Sequence, residues 1–357
     1  MKRRDFLRNS LVGLGAALGG GIPLFPTLST FAQDDVPGDD MMSLPVKGGI
    51  LNVHDPVVIK HEDYYYLYHT GTGIPIKRSQ DMITWGVARG GNVFQSQPEP
   101  FEYVPGATDI WAPDISYWND LYHMYYSVST FGSSHSAIGL ATNTTLNYDD
   151  EAYEWVDHGI VIKSNSSSNW NAIDPNLVID EDGEPWLVFG SHWSGIKMIK
   201  IDAETGLQSE EDTALYDIAS RAVHPRAIEA PFIIYREPWY YLFVSFDQCC
   251  SGINSTYNVR VGRSEAVTGP YVDREGVPMM EDGGTPLLWW EEGRGRYRGP
   301  GHNGIFTDDD GQDYIVYHAY DAVQGGTPTL RIDPLQFDDE GWPFVASMLP
   351  EEDEDDS

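Results

Sequence analysis

Four acids and one histidine recur along the chain in similar company. Asp55 lies in "HDP", Asp114 in "APD", Asp174 in "IDP", Glu229 in "EAP" and His302 in "GHN". Each opens a short run of strand-forming residues, and successive members stand 55 to 73 residues apart. Carboxylates gathered at one place raise the pKa of at least one of them. That suits a pair in which one acid gives a proton while another takes one. Hydrolysis of a glycosidic bond needs this division of labour: one carboxylic acid protonates the leaving oxygen, and one carboxylate activates water or attacks carbon. An Asp beside Pro also favours turns, and for Asp114 that plainer role stays open.

The elements that must position these residues repeat with them. Five aromatic strands, "DYYYLYHTG", "DLYHMYYSVS", "GEPWLVFGSH", "EPWYYLFVSF" and "GQDYIVYHAY", each follow a short turn and an earlier strand: "DPVVIK", "PDISYW", "PNLVID", "APFIIY" and "NGIFTD". A third strand follows in "SAIGLATN", "GIKMIKID" and "YNVRVGRS", with "IPIKRSQD" and "TLRIDPLQF" serving in the other two units. A unit of three or four strands, repeated at a near-fixed period and unable to bury its own faces, indicates a propeller. The expected fold is all-β, a five-bladed β-propeller, with long loops because a period near sixty exceeds a standard blade. First strands line a central channel, so the four acids and His302 converge at one end of it.

Composition agrees. Aromatic residues make up 13% of the 357 residues, and 36 Gly and 23 Pro supply turns. The net charge of -33 repels phosphate backbones and argues against nucleic-acid binding. It fits adaptation to high salt or simply an acidic secreted protein. Residues 1–32 have a basic start, an apolar middle and a small-residue exit at Thr30-Phe31-Ala32, the pattern of an export signal. Arg3-Arg4 resembles a twin-arginine signal, so the expected location is outside the cell. The apolar segment is too short and glycine-rich for a permanent span, and the mature form should carry no membrane segment. Residues 33–47 read as a linker, 48–348 as the propeller and 349–357 as an acidic tail. The two cysteines, Cys249 and Cys250, are adjacent; two buried thiols and a bridge between neighbours both remain open. "DDDG" (Asp308–Gly311) reads as a hairpin turn rather than a calcium loop.

"HDP" at His54–Pro56, "NAIDPN" at Asn171–Asn176 and "IEAPFI" at Ile228–Ile233 resemble the three catalytic blocks of glycoside hydrolase family 43. "TDIWAPDI", "FDQCCSGINSTYNVRVGRS" and "GPGHNG" extend the likeness over about residues 48–348 and look most like the endo-acting arabinanases of that family. The resemblance implies a five-bladed propeller that inverts configuration. It implies Asp55 as general base, Glu229 as general acid, and Asp174 as the residue that raises the pKa of Glu229 and holds it in place. It implies plant cell-wall arabinan or arabino-oligosaccharides as substrate. It also implies a central Ca2+ held by His302 and waters, an unexpected ligand for an ion that prefers oxygen. A neutral hydrogen-bonded His302 is the alternative. Trp111 and Phe131 are candidate sugar platforms, with packing in the core as the alternative for each. His54, Asn171, Ser191 and His318 are candidate substrate contacts. The rival expectations are an exo-acting α-L-arabinofuranosidase or β-xylosidase of the same family and a carbohydrate-binding propeller without catalysis.

Overall fold

The computed structural model describes residues 43–290 and 295–348, so the export-signal and acidic-tail assignments lie outside the described residues, as does most of the linker. The described residues form five sheets, antiparallel apart from β1. In the first, β2 (Val57–His61), β3 (Tyr64–Tyr68), β4 (Pro75–Ser79) and β5 (Thr84–Asn92) run from the inside outward, and β1 (Lys47–Gly48) pairs in parallel with the outer edge. The second holds β6 (Trp111–Trp118), β7 (Leu121–Val128), β8 (Ser136–Asn143) and β9 (Val156–Ser164). The third holds β10 (Asn176–Ile179), β11 (Pro185–Phe189), β12 (Ile196–Lys200) and β13 (Tyr216–Ala219). The fourth holds β14 (Ile228–Arg236), β15 (Trp239–Phe246), β16 (Asn258–Ser264) and β17 (Thr285–Leu288). The fifth holds β18 (Tyr297–Thr307), β19 (Asp313–Asp321), β20 (Thr327–Phe337) and β21 (Pro343–Phe344). The five expected blades are therefore present, each with a fourth, outer strand that the sequence reading did not single out. "DDDG" is the hairpin turn between β18 and β19.

The apolar residues form five clusters, each between two neighbouring blades. Alternation along the second strands explains this. On β7, Met124, Tyr126 and Val128 pack toward the first blade, while Tyr125 packs toward the third. Both faces of such a strand are covered, so it reads as a continuous aromatic run rather than an alternating one.

The ring closes through its N-terminal segment. Ser43 Oγ donates to Asp333 Oδ1 at 2.6 Å, and the Leu44 N–H donates to Ile332 O at 2.9 Å. The Leu330 N–H donates to Ile50 O at 3.0 Å. Lys60 on the first blade meets Asp308 and Asp309 of the fifth at 2.9 and 2.8 Å. Residues 43–47, read from sequence as the end of a linker, thus belong to the packed ring, because their backbone and Ser43 find partners on the last blade.

Candidate active site

Inner strands begin, and second strands end, at the same end of the ring, because the two are antiparallel. At the entry to its inner strand each blade carries a non-glycine residue with positive φ: Asp55 (53°), Ala112 (45°), Asp174 (58°), Ala230 (53°) and His302 (50°). Such backbone costs about 1–3 kcal/mol per residue and persists only when surroundings enforce it. The enforcement is a repeated bond. The N–H of each of these residues donates to a side chain of the preceding blade. Ala112 donates to Thr70 Oγ1 (2.8 Å), Asp174 to Ser127 Oγ (2.9 Å) and His302 to Ser245 Oγ (2.9 Å). Ala230 donates to Asp174 Oδ2 (3.1 Å) and Asp55 to His318 Nδ1 (3.2 Å).

This register corrects one member of the expected ring. Asp114 lies two residues beyond Ala112 and does not reach the channel mouth. Its carboxylate is buried and accepts from the Leu177 N–H (2.8 Å) and Asn176 Nδ2 (3.1 Å) of the next blade. Asn176 repeats the bond one blade on, its Oδ1 accepting from the Ile233 N–H at 2.8 Å. Asp114 is a strut between blades, and burial pushes its carboxyl up to about 6.

Asp55, Asp174, Glu229 and His302 do come together. Asp55 Oδ1 meets His54 Nδ1 at 2.8 Å and His302 Nδ1 at 3.0 Å, and Thr70 Oγ1 donates to Oδ2 at 2.6 Å. Burial alone would raise this carboxyl, but His302 and His54 outweigh it and hold it well below the usual carboxylate range. In return, Asp55 overcomes the burial of His302 and lifts it to about 9. Glu229 accepts from Tyr257 OH (2.8 Å) and Ser191 Oγ (3.0 Å), and His192 Nδ1 lies 3.4 Å away. Asp174 has far less support. Burial pushes it up to about 7, with the charges of Glu229 and Asp55 adding and that of His302 opposing.

The direction at Glu229 differs from expectation. Burial would raise it, but His192 and Tyr257 hold it below the ordinary glutamate value. Of the pair, Asp174 is the one whose neutral form its surroundings favour. The reason is the uneven distribution of donors. One of those on Glu229, His192, has a side chain 38% exposed and so stands open to displacement.

Several candidate substrate contacts take other places. His318 is fully buried, its Nδ1 accepts the Asp55 N–H, and its ring stacks under His54 with centroids 3.9 Å apart. It cannot touch a sugar. Ser191 is buried too and supports Glu229. Asn171 is buried, its Oδ1 accepting from Ser136 Oγ at 2.7 Å. His54 remains partly open beside Asp55. Trp111 is half-buried at the start of β6. Phe131 is 85% exposed on the loop after β7, at the site end, which removes the core reading for it. His192, Tyr257, Thr70 and Tyr320 escaped the sequence reading. Cys249 and Cys250 are joined by a disulfide.

His302 offers a bound cation little of its own. Its Nδ1 is engaged by Asp55, leaving Nε2. The neighbouring Asn303 has both amide atoms buried without a partner. An ion there would draw most of its six to eight oxygen ligands from water. Those residues fit a largely hydrated ion and not a protein cage.

The model of "Glycosyl hydrolases family 43" matches residues 46–343. An extracellular endo-α-(1→5)-L-arabinanase of Bacillus subtilis strain 168 is 44% identical over 297 residues, 82% of this chain and 87% of that protein. An extracellular exo-α-(1→5)-L-arabinofuranosidase of Cellvibrio japonicus is 41% identical over 308 residues, 83% of this chain and 86% of that protein. The solved Cellvibrio cellulosa α-L-arabinanase complexed with arabinohexaose superposes with a TM-score of 0.77 at 40% identity, covering 83% of this chain and 96% of that one. With a match across the whole ring, this chain belongs to glycosyl hydrolase family 43 and is a glycoside hydrolase.

Proposed function

We propose that this enzyme cuts internal α-1,5-L-arabinofuranosidic bonds of arabinan by a single inverting displacement, outside the cell. The observation that carries the proposal is the unequal setting of the acids around one channel mouth: Asp55 faces His54, His302 and Thr70, whereas Glu229 accepts from Tyr257 and Ser191 beside Asp174, whose pKa burial raises. The names of the relatives supply the substrate class. Export through the twin-arginine route rests on Arg3-Arg4 and on the extracellular naming of those relatives.

Asp55 takes a proton from a water as that water attacks the anomeric carbon. Glu229 gives its proton to the leaving sugar oxygen as the old C–O bond breaks. Inversion needs room for the water, with the two carboxyls roughly 6.5–9.5 Å apart. A sugar that takes His192 away from Glu229 removes the larger of the contacts holding its pKa down and leaves those of Tyr257 and Ser191. Burial and the neighbouring Asp174 then weigh more and favour the protonated form of Glu229. Trp111 and Phe131 offer faces for stacking sugar rings.

Linear α-1,5-arabinan is the first substrate to test. A spread of oligosaccharides early in the digest is the expected result. Arabinose alone from the first minutes would move the enzyme to exo action, the activity named for the Cellvibrio japonicus relative. Ca2+ at His302 is part of the proposal, as a hydrated ion on Nε2 of a neutral ring whose Nδ1–H faces Asp55, where the ion would take the place of the imidazolium charge facing the acids. Chelation should lower the thermal midpoint and added Ca2+ should restore it. An unchanged midpoint would leave His302 as a hydrogen-bonding residue only.

A further inference from the structure

The hydroxyl of Tyr320 lies at a crossing of hydrogen bonds just behind Asp55. The ring is 2% exposed, on β19 of the fifth blade. Its oxygen is 2.7 Å from the Cys250 N, 3.3 Å from His318 Nε2 and 3.0 Å from His54 Nε2. The proton positions along this chain follow from one fixed fact. The Asp55 N–H can only donate, so His318 Nδ1, 3.2 Å away, must be bare. The single proton of the neutral His318 ring is then on Nε2 and points at Tyr320. The Cys250 N–H likewise can only donate to the same oxygen. A phenol oxygen has two lone pairs and one proton. With its lone pairs engaged, Tyr320 has its proton left to give, and His54 Nε2 is there to receive it. Cys250 Sγ, 3.8 Å from the same nitrogen, is tied in the disulfide and has no proton to offer. His54 must then carry its proton on Nδ1, which donates to Asp55 Oδ1 at 2.8 Å.

We propose that Tyr320 is a positioning residue for the reaction: its hydroxyl, loaded by Cys250 and His318, sets the tautomer and ring orientation of His54 so that His54 holds Asp55 in line with the attacking water. The assignment of Asp55 as base rests on the function proposed above; the tautomer of His54 does not. Tyr320 itself touches no reacting atom and acts through His54. The chain draws on three separate parts of the sequence, the β15–β16 loop with Cys250, β19 with His318 and Tyr320, and the entry to β2 with His54. No local motif announces it.

The test is the Tyr320→Phe variant, which keeps the ring and removes the hydroxyl. Long-range ¹H–¹⁵N spectra of protein labelled in histidine, with His54 assigned through His54→Gln, read the tautomer without any substrate. The wild type should show His54 protonated on Nδ1 and bare on Nε2. Tyr320→Phe should lose that single form, and kcat on linear arabinan should fall about tenfold to a hundredfold with KM within about threefold, the cost expected of a misplaced reacting group. A wild-type His54 protonated on Nε2 overturns the proposal, as does a variant that keeps both the tautomer and kcat. Should Tyr320→Phe fail to fold, the wild-type spectrum alone decides. Should arabinan prove not to be the substrate, the spectra still decide on the tautomer, so the two readings fail separately.

Discussion

Asp55→Asn is expected to lower kcat on arabinan by about 10²–10⁴, with binding retained, whereas Glu229→Gln loses a similar factor on arabinan but far less on an activated substrate. The physical reason is the difference between their tasks. The base is required whatever the leaving group, because water must still lose a proton. The acid is required only when the departing oxygen is a poor leaving group. An arabino-oligosaccharide bearing an acidic phenol at the cleaved bond departs without help. Asp55→Asn should therefore be inactive on both substrates, and Glu229→Gln should recover on the phenol glycoside. The reverse pattern would exchange the two roles, and equal recovery would remove the distinction. Asn is the right substitution at position 55. The residue has φ of 53°, a conformation Asn adopts readily, so the backbone turn survives the change. Release of reducing ends and of the phenol, measured side by side, checks the pattern.

Asp174→Asn is expected to cost activity and to gain stability, and the gain should depend on pH. In an unfolded chain an aspartate ionises near pH 3.9. In the fold, burial and the neighbouring acids push Asp174 up to about 7. Between those values the folded chain keeps a proton that the unfolded chain has released. Stability therefore falls as pH rises through this window, and the penalty is complete above pH 7. Asn cannot ionise, yet its side-chain oxygen can still accept the Ala230 N–H that Asp174 Oδ2 accepts now. The variant should match wild type near pH 4 and exceed it by roughly 2–4 kcal/mol at pH 8. His302, raised to about 9, loses its own contribution as pH rises above the unfolded histidine value in both proteins, so the variant is compared with wild type at each pH. Denaturant unfolding at the two pH values reads the difference. A gain of equal size at both would show that ionisation of Asp174 is not its source.

These arguments also mark how far the sequence could be read. The five blades were legible because turn, inner strand and aromatic strand recur in fixed order, and because burial on both faces makes the second strands aromatic throughout. The outer strands were not. Segments such as Thr84–Asn92 alternate weakly and are largely exposed, so neither burial nor periodicity marks them. Asp55, Asp174 and Glu229 were legible at the strand entries. Asp114 shared their company but not their register. The left-handed turn falls on Ala112, and no side-chain pattern predicts where such a turn sits. His318 and Ser191 were noticed and given the wrong kind of contact. The signal that would have corrected them was present. Thr70, Ser127, Ser191, Ser245 and His318 each stand at or near the end of an aromatic strand, a polar residue where the apolar run stops. Four of them accept the N–H at the next blade's entry, and Ser191 instead donates to Glu229 on the next blade, so all five tie one blade to the next. His192 and Tyr257 lie in loops and strand starts with no repeated partner, and only the folded ring brings them to Glu229.

The bond from the Asp55 N–H to His318 crosses from the first blade to the last. The acid pair is complete once the third and fourth blades meet, since Asp174, Ser191, His192, Glu229 and Tyr257 all belong to that half of the ring. The base is different. Its backbone is held by β19, its carboxylate by His302 of β18, and its partner His54 by Tyr320. All of these arrive from the far end of the chain. Catalytic competence is therefore a property of the joined ends. A nascent or clipped chain lacking the fifth blade would carry its acid already assembled and its base held only by Thr70 and His54 of its own blade, so the site is completed only as the circle shuts.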